Sequence, residues 1–341
     1  MSIDETPQKF INKRVGRNVF DTPPRVSVVI PAYNVADTIC ETLDSVLAQK
    51  FREYEIILVN DGSPDTDKLE RAIKMHLENI TYIKQRNAGA AVARNTGIEH
   101  ARGDIIAFLD GDDIWQPDYL ATQFIFLQRH DYDMVYCNAA LFGTRSAYRT
   151  TFMDTAPSEG EADFDAILSL RCNVITSGTM ARKAAVERAG MFENDRVKAE
   201  DFHLWLRLAK TGAKIGYQRK VLFKYRVHAG SLSGDAIDRV TRAIDVFERV
   251  TNTIDLTTEQ RTEAENRIAS LKADLAVEQG KAFLLDGEYA AAARSFQTAN
   301  QHRRSLKLTA VSLLTRLAPN MLIKYYRTHR STDIAFTSRQ G

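Results

Sequence analysis

The sequence predicts an α/β domain on a mixed, mainly parallel sheet, followed by an α-helical C-terminal extension. Three observations predict it. Past Pro24, short apolar runs alternate with stretches of helix length, the signature of βαβ units. Those runs are apolar throughout rather than at every second position, so both faces of the sheet are covered. From Ala236 onward Ala, Glu, Leu and Arg dominate, a helix-forming composition.

Each element follows in order. Residues 1–24 are polar, end in Thr22-Pro23-Pro24 and read as a loose arm. Val26 to Ile30 is a buried-type strand that Pro31 stops. An amphipathic helix runs from about Ala36 to Gln49 with Leu43, Val46 and Leu47 on one face. Tyr54 to Val59 is a second strand, ended by the turn Asn60-Asp61-Gly62-Ser63. A helix over roughly Asp67 to His76, a short strand Thr81 to Lys84 and a Gly/Ala-rich helix from about Ala90 to Arg102 come next. Ile105 to Leu109 is a strand leading into Asp110-Gly111-Asp112-Asp113. Met134 to Tyr136 is a strand followed by a long polar region, Phe142 to Phe164. Strand-like pieces recur at Thr179–Ala181, Lys214–Tyr217 and Val221–Tyr225, with a helix starting near Glu200.

The C-terminal region, 236–341, contains a helical hairpin over 277–300 that resembles one tetratricopeptide unit. Gly280 lies in its first helix, Asp286 to Tyr289 in its turn, and Ala292 and Phe296 in its second helix. A second copy at a fixed period is absent, so a plain hairpin is the simpler reading. Ser305 to Tyr326 then offers Leu306, Ala310, Leu313, Leu314, Leu317 and Met321 on one face, with Pro319 kinking or ending the helix.

The chain has 341 residues and a net charge of +2, which gives no overall field for nucleic acid. The charge is uneven. From Gln301 to the end there are eight Lys and Arg against one acid, Asp333, while the first 300 residues carry a net −5. A basic amphipathic tail on an acidic body suggests an anionic membrane surface as partner, or a helix docked on its neighbour. Cys40, Cys137 and Cys172 are widely spaced, with no CxxC, so neither a zinc site nor a disulfide framework is indicated. A reducing cytoplasm fits, and the polar N-terminus lacks the apolar segment of a signal peptide. No stretch is long and apolar enough to span a bilayer.

In parallel sheets ligands bind at the carboxyl ends of strands. Polar residues stand at three such ends: Tyr33-Asn34, Asn60-Asp61 and the run Asp110 to Asp113. Asp110 and Asp112 alternate along extended chain and project to one side. A divalent cation, Mg²⁺ or Mn²⁺, relieves their repulsion and takes its remaining ligands from phosphate and water. Asp113 and Asp118 read more simply as a solvated turn or helix cap. Asp61 suits a base ring N–H, Tyr33 a base face, and Arg94 a phosphate or base. Gly89 and Gly97 indicate close approach of their helix to sheet or ligand. Neither GxGxxG nor GxxxxGK[ST] is present, which argues against a dinucleotide oxidoreductase and a P-loop ATPase.

Four segments carry a family resemblance: VSVVIPAYNVADTICETLDSVLAQ, EIILVNDGSPD, NAGAAVARNTGIEHARGDIIAFLDGDDIWQPDYL and EDFHLWLRL. Together, over about residues 25–232, they resemble the inverting family 2 glycosyltransferases with the Rossmann-like GT-A fold. The resemblance implies a 25–235 catalytic domain, with a nucleotide-sugar-binding half (25–118) and an acceptor half (119–235). It implies a nucleotide-diphosphate sugar held by the backbone around Pro31 and Ala32 and by Tyr33, Asp61 and Arg94, with Asp110 near the ribose. Asp112 then ligates the metal. Glu200-Asp201 matches the family's acidic pair, and Asp201 becomes the general base. The stretch YRVHAGSLS, Tyr225 to Ser233, matches the end of the catalytic domain and brings His228 toward the metal. Trp115 and Trp205 read either as core or as sugar-stacking residues.

The implied chemistry is a single displacement at the anomeric carbon, usually from a UDP-sugar, onto a hydroxyl of a saccharide or lipid-linked saccharide in cell-surface polysaccharide assembly. Two other readings stand beside it. One is a degenerate transferase domain acting as a scaffold. The other is a sugar nucleotidyltransferase, whose Gly-rich basic loop is replaced here by PAYNVADT. The segments Phe142 to Phe164 and Cys172 to Gly178 are expected to shape the acceptor pocket.

Overall fold

The computed structural model describes residues 12–15, 23–143, 150–193, 200–227 and 236–329. They divide into two compact units, one ending at Val227 and the other beginning, among described residues, at Ala236.

The first unit is built on a nine-stranded sheet of order β1-β4-β3-β2-β5-β8-β7-β9-β6. Its parallel heart is β2 (Val26–Ala32), β3 (Tyr54–Asp61), β4 (Thr81–Gln85) and β5 (Ile105–Phe108). Every residue of β3 is buried, the apolar run Ile56 to Val59 and also Glu55, Asn60 and Asp61. β1 (Asn12–Val15), inside the segment read as a loose arm, pairs antiparallel with β4 at the sheet edge. Pro31 does not stop β2, which continues to Ala32 beside β3. Pairing with β5 ends at Val29, so β2 has a single neighbour at Pro31 and the missing N–H is tolerated there.

Helices cover the sheet. α1 (Ile39–Leu47) buries Ile39, Leu43 and Val46 against Val26, Val28 and Ile30. α2 (Thr66–Ala72) tightens into a 3₁₀ turn over Ile73–His76, where the sequence suggests one continuous helix. α3 (Ala90–His100) presses on β2: a Cβ at Gly97 would lie 2.3 Å from Val29 Cγ1. Only glycine permits that approach.

The second half of this unit, from Ile114 onward, departs more from its sequence reading. The two-residue strand β6 (Ile114–Trp115) and the helix α4 (Tyr119–Arg129) follow the acidic loop. β7 (Met134–Phe142) is three times the length its apolar core suggests. The polar region beyond it is not featureless: Ala140 bridges Thr151, and α5 (Phe152–Thr155) and α6 (Phe164–Leu168) lie within or at its end. β8 (Thr179–Arg182) is followed by α7 (Lys183–Arg188) and α8 (Glu200–Lys210). The two pieces expected at Lys214–Tyr217 and Val221–Tyr225 are one strand, β9 (Ile215–Arg226). Its pairing with β7 shifts register around Asn138, an irregularity that breaks the apolar pattern.

The second unit is helical. α9 (Ala236–Thr253) packs on α10 (Thr258–Leu285), and α10 on α11 (Tyr289–Arg303). Thr257 and Gln260 form a capping box that starts α10. Gly287, at φ +82°, turns the chain between α10 and α11. A Cβ at Gly280 would meet the Phe296 ring at 2.7 Å, so this glycine is a contact surface between the two helices. α12 (Leu306–Leu317) and α13 (Pro319–His329) complete the unit, with Pro319 opening α13 rather than kinking α12. Leu284, Ala292, Phe296 and Leu322 form its core, with Leu308, Val311 and Leu314 packed around them. No helix among the described residues is long and apolar enough to cross a membrane.

Candidate active site at the strand ends

β2 and β3 deliver their polar residues to one sheet edge. Tyr33 is 52% exposed there, an open aromatic face. Asn34 follows in a left-handed conformation, φ 55°, and its N–H donates to Ser63 Oγ at 2.6 Å. Ala32 is fully buried, so only its backbone is available to a ligand. Asp61 is buried and already engaged. Its carboxylate accepts from Gln85 Nε2 at 2.7 Å and from the N–H groups of Ala88 and Gly89 at 2.9 and 2.8 Å. Gly89 adopts φ +95° with open space around it, so it serves the turn rather than a close contact. Asp61 thus fixes the start of α3, and Gln85 extends the link to Thr96 Oγ1 at 2.7 Å.

The three acids of the loop after β5 have three different surroundings. Gly111 lets the loop lie close to β2: a Cβ there would be 3.3 Å from the Pro31 carbonyl oxygen and 3.0 Å from Val35 Cγ2. Thr38 and Thr42 donate to the carbonyls of Gly111 and Asp113, each at 2.9 Å. Asp110 Oδ1 accepts from Arg94 Nη2 at 2.7 Å, and its N–H donates to Ser177 Oγ. Asp113 is 1% exposed and accepts the Arg226 N–H at 2.8 Å. Burial first, then the charges of Asp112 and Asp110, push its carboxyl well above the usual carboxylate range. It is a buried positioning group, not the solvated cap that the sequence suggests. Asp112 is the partly buried member between them. Arg226 holds its carbonyl through Nε at 2.8 Å, stacks over the Phe142 ring at 4.4 Å and reaches Glu41 at 2.6 Å.

Arg94 joins this loop to the second acidic motif. Its guanidinium is buried, donates to Asp110 and, through Nη1, to Glu200 Oε1 at 2.6 Å, and lies 5.5 Å from the Phe192 ring centroid. Burial disfavours its charge, but Asp110 and Glu200 outweigh that and hold its pKa above the ordinary value. The side chain expected at a phosphate or base is therefore a buried cross-link between motifs. Burial raises the Glu200 carboxyl while Arg94 pulls it down. Beside it, Asp201 Oδ2 accepts from Thr176 Oγ1 at 2.7 Å, and Oδ1 from the Phe202 N–H at 2.8 Å. Tyr225 is pushed above its usual range by burial, then by the charges of Asp113, Asp110, Asp112 and Asp201, which belong to both motifs.

The remaining candidates separate. Trp115 stacks on Tyr119 at 4.0 Å and donates to the Ser177 carbonyl. Trp205 is buried against Phe108 and Phe192. Both are core residues. His228 lies outside the described residues. The two segments expected at the acceptor pocket are tied together: the Asn173 N–H donates to Ser158 Oγ at 2.9 Å, and Asn173 Nδ2 to Pro157 O at 2.6 Å. Thr176, Ser177, Tyr225 and Arg226 join the site without being named individually from the sequence, though the first two fall in the segment Cys172 to Gly178 and the last two in the YRVHAGSLS stretch.

Among the described residues, no group of three or more His, Cys, Asp or Glu is arranged to hold a metal ion by itself. The donors that remain, Asp112 and the partly exposed Asp110, are hard carboxylate oxygens. They fit a Mg²⁺ or Mn²⁺ ion that takes most of its shell from a substrate's phosphates.

Known proteins give the same picture. Residues 27–188 match the Glycosyl transferase family 2 domain. The UDP-Glc:alpha-D-GlcNAc-diphosphoundecaprenol beta-1,3-glucosyltransferase WfaP of Escherichia coli is 32% identical over 226 residues, covering 66% of this chain and 86% of that protein. Among solved structures, the mannosyltransferase PcManGT from Pyrobaculum calidifontis, in complex with GDP-Man and Mn²⁺, superposes with a TM-score of 0.58 at 22% identity, covering 91% of this chain and 84% of that one. TarS 1-349 of S. aureus, in complex with UDP, gives 0.54 at 20% identity, covering 90% of each chain. These two carry the fold.

Proposed function

Since the chain belongs to glycosyltransferase family 2, we propose that it transfers a sugar, with inversion, from a nucleoside-diphosphate donor to a hydroxyl of a saccharide or lipid-linked saccharide. One observation carries this reading: Arg94 bonds both Asp110, beside the donor-binding strand ends, and Glu200, next to Asp201. Donor and base motifs, ninety residues apart in the chain, are thereby held in one place. UDP is the first nucleotide to test, supported by TarS with UDP and by the UDP-Glc of WfaP. The diphosphoundecaprenol in the name of WfaP supports the lipid-linked class of acceptor.

In this proposal Tyr33 covers the base, and the backbone at Pro31 and Ala32 borders the nucleoside. Asp61 meets the base edge from its fixed position. Asp112, with Asp110, would hold a divalent ion, which would supply Lewis-acid stabilisation of charge on a leaving diphosphate. Asp201 is the general base. Thr176 and the Phe202 N–H orient its carboxylate, and it takes the acceptor proton as the new C–O bond forms and the sugar–phosphate bond breaks. One displacement inverts the anomeric centre without a second nucleophilic carboxylate. Glu200 does not touch substrate; it anchors the start of α8 through Arg94.

A thermal-shift panel of UDP-, GDP- and dTDP-sugars with and without Mn²⁺ tests the donor half. Saturation at a hundredfold excess over Kd stabilises by about 2.7 kcal/mol. A metal-dependent shift with one nucleotide supports the reading. No shift with any of them moves the protein to the scaffold reading. Asp201→Asn tests the base: transfer is lost while the donor-induced shift persists, and loss of that shift instead overturns the role.

A further inference from the structure

α12 carries two apolar faces, and among the described residues only one is covered. Leu308, Val311 and Leu314 pack on the core of the helical unit, and Thr315 is fully buried. On the other side Leu306, Leu313 and Leu317 are 88%, 56% and 73% exposed, with Ala310 exposed between them. At 3.6 residues per turn these four fall within an arc of about 60°, opposite Thr315. Met321, 58% exposed, adds to the apolar surface from α13. The sequence places Leu314 with this stripe; the structure turns it inward.

The borders of the stripe are cationic. Lys307 and Arg316 are exposed on α12, one on each side and each about 90° from the stripe. Arg304 is exposed just before it, and beside it Arg303 is paired with Asp274 of α10 at 2.5 Å. Between Gln301 and His329 there is no Asp or Glu. An apolar ridge whose flanks on its own helix carry cations and no acid complements an acyl boundary beneath anionic headgroups.

We propose that the outer face of α12 is an interfacial membrane anchor, lying in the plane of an anionic bilayer with Leu306, Leu313 and Leu317 in the acyl boundary and Lys307 and Arg316 at the headgroups. The proposal does not rest on the transferase reading.

Flotation of the full-length chain with vesicles of phosphatidylcholine alone, and of phosphatidylcholine with phosphatidylglycerol, tests it. The wild-type chain floats with the anionic vesicles, and added salt weakens this. Leu313→Asp with Leu317→Asp abolishes flotation. Because both positions are exposed, the melting temperature stays at the wild-type value. Lys307→Gln with Arg316→Gln leaves the apolar stripe intact and lowers partitioning into anionic vesicles by about tenfold or more. The proposal is overturned if the wild-type chain does not float, or if either double variant floats as well as the wild type. It is equally overturned if light scattering shows a dimer that Leu313→Asp dissociates, since a second copy then covers the face.

Discussion

The loop Asp110 to Asp113 and the pair Glu200-Asp201 face the same problem, adjacent carboxylates in poorly hydrated protein, and meet it differently. In the loop, Asp113 is buried under a backbone N–H and driven toward its neutral form. At the start of α8, Glu200 is set against a buried guanidinium. Arg94 serves both motifs, through Asp110 and through Glu200, and the loop in addition buries Asp113 against a backbone N–H. In each, one acid is tied to a buried partner, and the proposed chemistry uses its neighbour, Asp112 or Asp201. On that proposal the crowded acids divide into positioning and reacting members.

The largest effect expected from separating those members is on Asp201. Asp201→Asn lowers kcat by about 10³-fold, within the usual range for a positioned base, whereas Glu200→Gln leaves most of kcat; steady-state kinetics with a saturating donor compare them. Equal losses would erase the distinction within the pair.

Arg94→Gln comes next. Removing a buried cation that joins two carboxylates destabilises by about 3 kcal/mol, read from chemical denaturation at neutral pH. The Glu200 carboxyl, already raised in the folded state, then loses the pull of Arg94 and rises further. The stability it contributes is complete below its unfolded value of about 4.3 and is lost as pH rises through the folded value. The deficit of the variant therefore narrows as pH falls from 7 toward that range. A deficit that is constant with pH would show that Glu200 is not the partner left behind.

Thr176→Val removes one hydrogen bond from Asp201 and lowers kcat by about tenfold with little change in KM for the donor, about 1.4 kcal/mol. The smallest effect is at the loop. Arg226→Gln keeps the backbone N–H to Asp113 but loses the guanidinium contact to the Asp112 carbonyl, destabilising by about 1 kcal/mol. Its Mn²⁺-dependent donor shift weakens while its metal-free shift does not. A metal-free loss of equal size would mean that Arg226 supports the whole strand end.

The donor half was the more legible part of the sequence because its contacts are local. Strand, turn and acid lie within a few residues at Asp61 and Asp110, and βαβ order brings their ends together. Pro31 misleads because a proline in a strand is tolerated where one neighbour is missing, which depends on where β5 stops. The acceptor half was less legible because β9 changes register around Asn138, dividing its apolar pattern in two. Thr176 meets Asp201 across twenty-five residues, and no spacing rule announces such a contact. Arg94 shows the limit most plainly: its residue type suits a phosphate, and only the packing of α3 against β2 through Gly97 and Val29 turns it inward.

That inward turn bears on recombination. Arg94 belongs to the segment that would be exchanged to change donor preference, and Glu200 to the segment that would be exchanged to change acceptor. A chimera joined between them keeps the ion pair only when the first parent supplies the arginine and the second the acid. Libraries built from related enzymes should therefore be sorted first by that pair, since an acid at position 200 with no arginine facing it begins as an unneutralised charge in the interior whatever the pockets prefer.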